Sequence, residues 1–404
     1  MQTIILAAGM GTRLRPLTYT KPKVMLPLAN KPILEHLVLE LKKAGFEEIV
    51  FVVGYKNEKI RKYFKDGKRW GVRISYVTQK SQMGTADALK SAIHILEDEF
   101  LVINGDNIIE SKDIEKLAKK SWAVGIKEVK NPYDFGVIEI EKNKIKKIVE
   151  KPEKPISNLI NAGIYKFTKD IIEFLKKTPI SKRGEYELTD TLQLAIDSGV
   201  EVKAVKISTW IDVSYPWDLL KANEFVLSKI EESVIKGKIE NGAYVKGTIV
   251  LGENSIIKAG SYLVGPIVIG KNCKIGPNCF IRPYTSIGDD CHIGACVEIK
   301  NSIIMSNTNV PHLNYVGDSI IGEYCNLGAG TKIANLRLDE REVCAVVKGK
   351  KVPTGRRKFG AVIGDFVKIG INVSINVGTI IGNNVRVAPS AVVDGYIESN
   401  SKVF

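Results

Sequence analysis

From Ile239 to Ile299 an aliphatic residue returns at every sixth position: Ile239, Val245, Leu251, Ile257, Leu263, Ile269, Ile275, Ile281, Ile287, Ile293 and Ile299. The series resumes as Ile321, Leu327 and Ile333, and again as Ile363, Ile369, Ile375, Ile381, Val387 and Val393. A helix repeats its buried face every 3.6 residues and a strand every two, so neither needs a strict period of six. A coil with three short flat faces does: one aliphatic points inward from each face, and small residues turn each corner. Gly follows the aliphatic at 252, 270, 276, 288, 294, 322, 328, 364, 370 and 382, as such corners require. Residues 238–404 therefore read as a parallel β-helix of hexapeptide repeats. Two stretches break the period and are expected as loops, 304–314 and the longer, basic 336–357. Loops leaving a rigid solenoid commonly carry function.

Six cysteines all fall in this part, with no CxxC pair, so zinc is not expected. Cys273, Cys279, Cys291 and Cys325 each stand two residues before a rung aliphatic, an inward position for a small side chain. Cys273 and Cys291 should stack in adjacent coils.

Residues 1–223 alternate the two other periods. Gln2–Ala8, Glu48–Gly54, Ile74–Thr78 and Phe100–Asn104 read as buried strands, with helices over Pro32–Ala44, Lys56–Phe64 and Ala86–Glu97 between them. That alternation predicts an α/β, Rossmann-like domain whose ligands sit at the carboxyl ends of a mainly parallel sheet. Residues 216–236 look helical and polar, and 224–237 is taken as a linker helix before the β-helix. With 404 residues, 26% charged and 44% hydrophobic, the chain is long enough for two or three cored domains and reads as soluble. No signal peptide or membrane span is expected. The net charge of +14 lacks the aromatic-basic pattern of nucleic-acid modules, and phosphate-rich small ligands explain it better.

The strand Thr3–Ala8 runs into Gly9-Met10-Gly11-Thr12-Arg13-Leu14, followed by Pro16, Leu17, Thr18, Lys21, Pro22, Lys23, Pro27, Lys31 and Pro32. Two glycines after a buried strand let backbone N–H groups approach a triphosphate. The whole run resembles the signature of the sugar-1-phosphate nucleotidylyltransferases, and further pieces follow in that family's order. The resemblance implies nucleotide contacts at Ala7, Ala8, Gly9, Gly11, Thr12, Gln79, Gly84 and Thr85. It implies sugar-phosphate contacts at Gly136, Glu150 and Asn161, and Mg²⁺ ligands at Asp106 and Asp212. Arg13 and Lys23 would neutralise charge in the transition state, with Lys21 as the alternative carrier to Lys23. Asp212 stands where bacterial bifunctional uridylyltransferases often have Asn, which leaves UTP or dTTP open as the donor nucleotide.

In the second half, Pro311-His312-Leu313-Asn314-Tyr315-Val316-Gly317-Asp318, then Asn326-Leu327-Gly328-Ala329-Gly330-Thr331 and Asn335, resemble the acetyltransferase half of the bifunctional N-acetylglucosamine-1-phosphate uridylyltransferases. The resemblance implies a left-handed β-helix and His312 as general base with Asn335 at the oxyanion. Acceptor contacts fall at Arg282, Lys300, Tyr315 and Asn326, and acetyl-CoA contacts at Ala329 and Lys358. It also implies a cytoplasmic homotrimer, or a multiple of it, with no nucleic-acid or membrane partner. Ile371 replaces a small hydroxyl residue of that family, and the chain ends at Phe404 without a basic extension. Arg356 and Arg357, in the basic stretch Lys348–Lys358, are taken as the substitute clamp for the CoA phosphates. Two other readings remain: a monofunctional pyrophosphorylase with a structural β-helix, and a non-catalytic exchange-factor subunit.

Overall fold

The computed structural model describes residues 1–404. Two compact units emerge: one of Met1–Met10, Pro22–Met25 and Ile33–Asp212, the other of Gly11–Lys21, Leu26–Pro32 and Val213–Phe404.

The first unit is a three-layer α/β body. Its strands in chain order are β1 (Gln2–Ala7), β2 (Glu48–Val53), β3 (Arg73–Thr78), β4 (Glu99–Asn104), β5 (Asn107–Ile109), β6 (Ala123–Glu128), β7 (Gly136–Glu141), β8 (Lys144–Glu150), β9 (Leu159–Thr168), β10 (Lys203–Lys206) and β11 (Trp210–Asp212). The main sheet has the order β3-β2-β1-β4-β9-β6-β10-β8-β7. Strands β3, β2, β1 and β4 are parallel, and β9 runs antiparallel between β4 and β6. The first strands are nearly continuous hydrophobic runs because both faces are covered. Helices α1 (Ile33–Lys43), α2 (Asn57–Phe64), α3 (Thr85–Ser91), α4 (Ser111–Ala118), α5 (Ile171–Lys177) and α6 (Leu188–Asp197) supply that cover. The expected strands and helices match this set to within a residue or two, apart from α3, which ends at Ser91 and passes into a short 3₁₀ turn at Ile93–Ile95.

The second unit is a left-handed parallel β-helix. Its three walls are parallel sheets of nine, nine and eight short strands. The periodic aliphatics Leu251, Ile257, Leu263 and their successors through Val393 stack into one core, most of them fully buried. Each such burial is worth about 1.5–3 kcal/mol. Cys273, Cys279, Cys291 and Cys325 are buried free thiols in that core, and Cys273 and Cys291 lie on neighbouring coils.

Three expectations are corrected here. Residues 304–314 are not a loop: Asn309–His312 is a wall strand, and Ile304, Val310 and Val316 are rungs of the core. Two steps of five residues, Ile299 to Ile304 and Val316 to Ile321, shift the phase. The corresponding coils hold 17 residues (Ser286 pairs with Ile303, Ile303 with Ile320) where others hold 18 (Ile267 with Thr285). A strict count of six loses the series although the coil continues. The second break does leave the coil, since Ile320 pairs next with Val362, but it folds as a hairpin of Cys344–Val347 with Lys350–Pro353. Lys348 and Gly349 both take positive φ at its tip, the geometry that suits a two-residue hairpin turn. The helix before the β-helix, α7, spans Pro216–Ser228 rather than continuing through 237, because Val234–Ile235 already pairs with Val250–Leu251. Nor is α7 a polar linker. It buries Trp217, Leu219, Leu220 and Leu227, and Asn223 donates to the Tyr284 carbonyl at 3.1 Å.

Asn314 occupies an inward position like those of the cysteines, 2% exposed, and neither polar atom of its side chain has a partner in the chain. In other inward positions Thr308 and Thr331 donate to the carbonyls of Gly322 and Gly328 at 2.7 and 2.9 Å. An unsatisfied buried amide costs about 1–3 kcal/mol. Asn314→Thr should therefore raise the thermal midpoint in calorimetry, and a lower midpoint would show that the amide is satisfied in solution.

Candidate functional site

In the first unit Asp106 follows β4 across the Gly105 turn. β11 pairs with β5 so that Asp212 lies opposite Asn107, the neighbour of Asp106. The two carboxylates predicted from distant parts of the sequence thus share one edge. Gly105 is tightly packed: a Cβ there would meet Leu6 O at 3.1 Å. Lys23, on a 3₁₀ turn, pairs its ammonium with the Asp106 carboxylate. Lys21 is placed differently. It is 5% exposed and bridges Asp365 (3.3 Å) and Glu323 (3.0 Å), which removes it as the alternative to Lys23.

No group of three or more His, Cys, Asp or Glu is arranged so that it could hold a metal ion by itself. Two adjacent carboxylates are hard oxygen donors, and Mg²⁺ is usually held by one or two carboxylates plus substrate phosphates and water. The donor set at Asp106 and Asp212 fits that ion.

Ala7 and Ala8 are buried at the end of β1, and Gly9 has open space where a side chain would stand. Gln79 is buried, with its amide donating to Gly84 O (3.2 Å) and Asp87 (2.7 Å). Gly84, at φ +105°, lies where a Cβ would fall 2.4 Å from Tyr186 O. Thr85 accepts from the Leu188 N–H at 2.9 Å. In the second unit Gly11 takes a left-handed conformation and its carbonyl accepts from Leu14 N and Thr18 Oγ1, both at 2.9 Å. Thr12 and Arg13 form the turn that follows, with the Arg13 guanidinium over the Tyr215 ring.

Gly136, Glu150, Asn161 and Thr189 converge. Thr189 donates to Glu150 at 3.1 Å, and a Cβ on Gly136 would meet Glu150 Oε2 at 3.1 Å. Asn161 is oriented locally, donating to Tyr165 (2.7 Å) and accepting from Gly163 N (3.0 Å). Arg183, which the sequence reading did not single out, pairs with Glu187 at 2.7 Å and Glu150 at 3.5 Å. Burial raises the Glu150 carboxyl above its ordinary value, opposed by the charges of Lys151 and Arg183. Burial, with Glu150 adding to it, pushes Glu187 up to about 7. A cavity of about 830 Å³ opens beside Glu150, Lys151, Arg183 and Asp190. Acids perturbed by burial and specific partners in a cleft are a recurrent mark of a binding site.

In the second unit the hexad walls sort the predicted acetyltransferase residues. Glu298 pairs with Tyr315, and Lys300 with Gly317, on one wall. Arg282 lies one coil before them and bonds Glu298 at 3.0 Å. Asn335, two residues past the strand Lys332–Ile333, lies in the same cluster, its amide nitrogen and the Tyr315 hydroxyl both bordering Gly317. Burial, then the charges of Glu298 and Asp318, hold the Tyr315 hydroxyl above its ordinary value. His312 is exposed at the end of Asn309–His312 on the adjacent wall, and Asn326 pairs with Asn309 there. His292, not singled out from the sequence, pairs with Asn309 and is held below 6.5 by burial, then by Lys258, Lys274 and His312. Within the chain Asn326 is on a different wall from Arg282, Lys300, Tyr315 and Asn335.

Both arginines expected at the CoA phosphates are paired within the chain. Arg356 turns inward, its guanidinium 3.7 Å from Asp318 and donating to Lys358 O, and Arg357 pairs with Glu340. Lys358 is exposed and bridges to Leu336, while Ala329 O accepts from Asn372 N at 2.8 Å. Lys348, Lys350 and Lys351 remain exposed on the hairpin.

This combination, a nucleotidyltransferase α/β unit with Asp106 and Asp212 on one edge and a hexapeptide β-helix with Tyr315 and Asn335 on one wall and His312 on the next, defines a two-site transferase. The Nucleotidyl transferase family model matches residues 2–229, and the GMPPB C-terminal domain model matches residues 263–359. The chain is 47% identical to the "Bifunctional protein GlmU" of Methanocaldococcus jannaschii over 100% of its own length and 97% of the relative's. It is 45% identical to the "Bifunctional sugar-1-phosphate nucleotidylyltransferase/acetyltransferase" of Sulfurisphaera tokodaii, covering 98% and 97%. A structure of UDP-glucose pyrophosphorylase complexed with UDP-glucose superposes with a TM-score of 0.52 at 27% identity, covering 57% of this chain and 99% of that one. The chain belongs to the family of bifunctional sugar-1-phosphate nucleotidylyltransferase/acetyltransferases, with a nucleotidyltransferase half followed by an acetyltransferase half. That excludes the monofunctional reading.

Proposed function

We propose that the acetyltransferase half N-acetylates glucosamine-1-phosphate with acetyl-CoA. The nucleotidyltransferase half then transfers UMP or dTMP from UTP or dTTP to N-acetylglucosamine-1-phosphate, or a related sugar-1-phosphate, and releases pyrophosphate. The observation that carries the reading is the placing of Asp106, Asp212 and Lys23 together in the first unit, from three separate segments. A sugar-phosphate oxygen is already anionic, so its attack on the α-phosphorus needs no general base. Positioning and charge neutralisation do the work. Lys23 and Arg13 supply fixed positive charge to the phosphates. Gly136, Glu150 and Asn161 hold the sugar. Asp106 and Asp212 would hold magnesium, which supplies further neutralisation when bound.

At the second site Arg282 and Lys300 bind the acceptor phosphate and Tyr315 the sugar ring. His312 takes the proton from the substrate ammonium. The amine nitrogen attacks the thioester carbonyl, the N–C bond forms, and the C–S bond breaks with release of the CoA thiol. An Asn335 N–H and the Ala329 backbone N–H stabilise the oxyanion between these steps. Lys348, Lys350, Lys351 and Lys358 are the cations offered to the CoA phosphates. The split of acceptor residues between two walls favours a site completed by a second copy in a homotrimer. We place both reactions in the cytoplasm, since UTP and acetyl-CoA carry charges that lipid excludes; no helix is long and apolar enough to cross a membrane.

Chelation tests the division of labour. EDTA, or Asp106→Asn, should reduce nucleotidyl transfer by orders of magnitude, while acetyl transfer, followed by free thiol release, stays at its starting rate. Acetylation that stops on chelation would refute the assignment.

A further inference from the structure

Asp318 ends the HLNYVGD run and has no place in the mechanism above. It is 2% exposed, in a left-handed conformation at a corner where the coil shortens to 17 residues. Its N–H donates to Lys300 O and its carbonyl accepts from Gly360 N, both at 2.9 Å, so the backbone is clamped on two sides. Four side chains reach its carboxylate. Asn335 Nδ2 donates to Oδ2 at 2.6 Å, Asn301 Nδ2 donates to Oδ1 at 2.8 Å, Lys300 Nζ lies 3.3 Å from Oδ2, and Arg356 lies 3.7 Å from Oδ1.

A carboxylate facing two cationic heads accepts hydrogen bonds and donates none. Asn335 must therefore turn its amide nitrogen toward Asp318. An asparagine amide otherwise has two nearly equivalent orientations, and only one offers N–H to an oxyanion. Gly317 leaves room for this arrangement: a Cβ there would fall 2.6 Å from both Asn335 Nδ2 and the Tyr315 hydroxyl. Lys300, the acceptor-phosphate contact, and Arg356, at the root of the basic hairpin, are tied to the same point.

We propose that Asp318 is the positioning residue of the acetyl-transfer site, fixing the Asn335 amide with its nitrogen, rather than its oxygen, turned toward the Tyr315 side of the site and fixing Lys300 beside it. The inference rests on the acetyl-transfer reading given above. At metal sites, partners that orient the ligating side chains account for about 10–100-fold in activity, and an effect of the same order is expected of a carboxylate that orients Asn335.

The isosteric Asp318→Asn, in the full-length chain, should lower kcat for acetylation of glucosamine-1-phosphate by about 10–100-fold. KM for acetyl-CoA and nucleotidyl transfer should stay close to wild type. Asn335→Ala should itself be impaired, and the double variant should fall no further than Asn335→Ala, because one residue acts through the other. Unchanged kcat in Asp318→Asn, or losses that multiply in the double variant, would overturn the inference while leaving the site intact. Full activity in Asn335→Ala would overturn the underlying reading, and the inference with it. Should Asp318→Asn lose its cooperative melt, Lys300→Met and Lys300→Met/Asp318→Asn remove cation and anion together. A further tenfold or greater fall in kcat on adding Asp318→Asn supports the role, and an equal kcat refutes it.

Discussion

Lys23→Ala is expected to lower nucleotidyl transfer by about 10²–10³-fold and to leave acetyl transfer in the same chain unchanged. The attacking oxygen and the leaving pyrophosphate are both anionic, so the barrier is chiefly one of placing like charges together. A fixed ammonium at that point is worth far more in a partly desolvated cleft than in water. The Lys23 side chain is only 14% exposed and pairs with Asp106, which places its charge at the proposed metal-binding edge. Lys21→Ala, two residues earlier, should behave in the opposite manner. Its ammonium balances Asp365, whose side chain is 1% exposed and which also accepts from Thr20 at 2.5 Å. Stripping a buried pair of one partner costs about 3–5 kcal/mol. Lys21→Ala should therefore lower the melting temperature, whereas Lys23→Ala should lower kcat with little change in melting. Pyrophosphate release and calorimetry on both variants give the answer, and a Lys23→Ala enzyme that keeps its nucleotidyl rate would sink the proposed role.

Legibility from sequence followed the physics of each element. The β-helix rungs were readable because every wall sends its largest inward side chain from each sixth residue, so one missing aliphatic leaves a hole. The period failed at Ile304–Val316 for an equally local reason: five-residue steps at Asn301 and Asp318, both at positive φ, shorten the coil without ending it. A polar residue that can take a left-handed corner, preceded by a rung aliphatic, was the available signal. The polar look of the chain around α7 concealed a docking face, because Trp217, Leu220 and Leu227 are spread among charged residues. The Asp106–Asp212 pairing was available only through resemblance, since composition does not reveal that β11 returns beside β5. The roles of Arg356 and Asp318 were not legible at all. Charge density in 348–358 suggested phosphate binding, but one of its arginines folds back onto a carboxylate nearly forty residues earlier.

His312→Ala and Asn335→Ala should each abolish most acetyl transfer, and co-expressing the two should restore part of it. His312 and Asn326 lie along one wall, whereas Arg282, Lys300, Tyr315 and Asn335 lie along the next. A convex coil directs adjacent walls away from each other, so a substrate gripped by both sets is best met by walls of two different copies. A cyclic trimer repeats that heterologous contact three times. In a random mixture of the two variants, a site needing His312 from one copy and Asn335 from its neighbour is intact about one time in four. Recovery of roughly a quarter of wild-type acetylation, with nucleotidyl transfer constant throughout, is the expected result. If both residues served one site from the same chain, every site in the mixture would carry a lesion and no activity would return. The same mixture made from separately purified, unexchanged proteins is the control, since intact trimers of one variant contain no complete site.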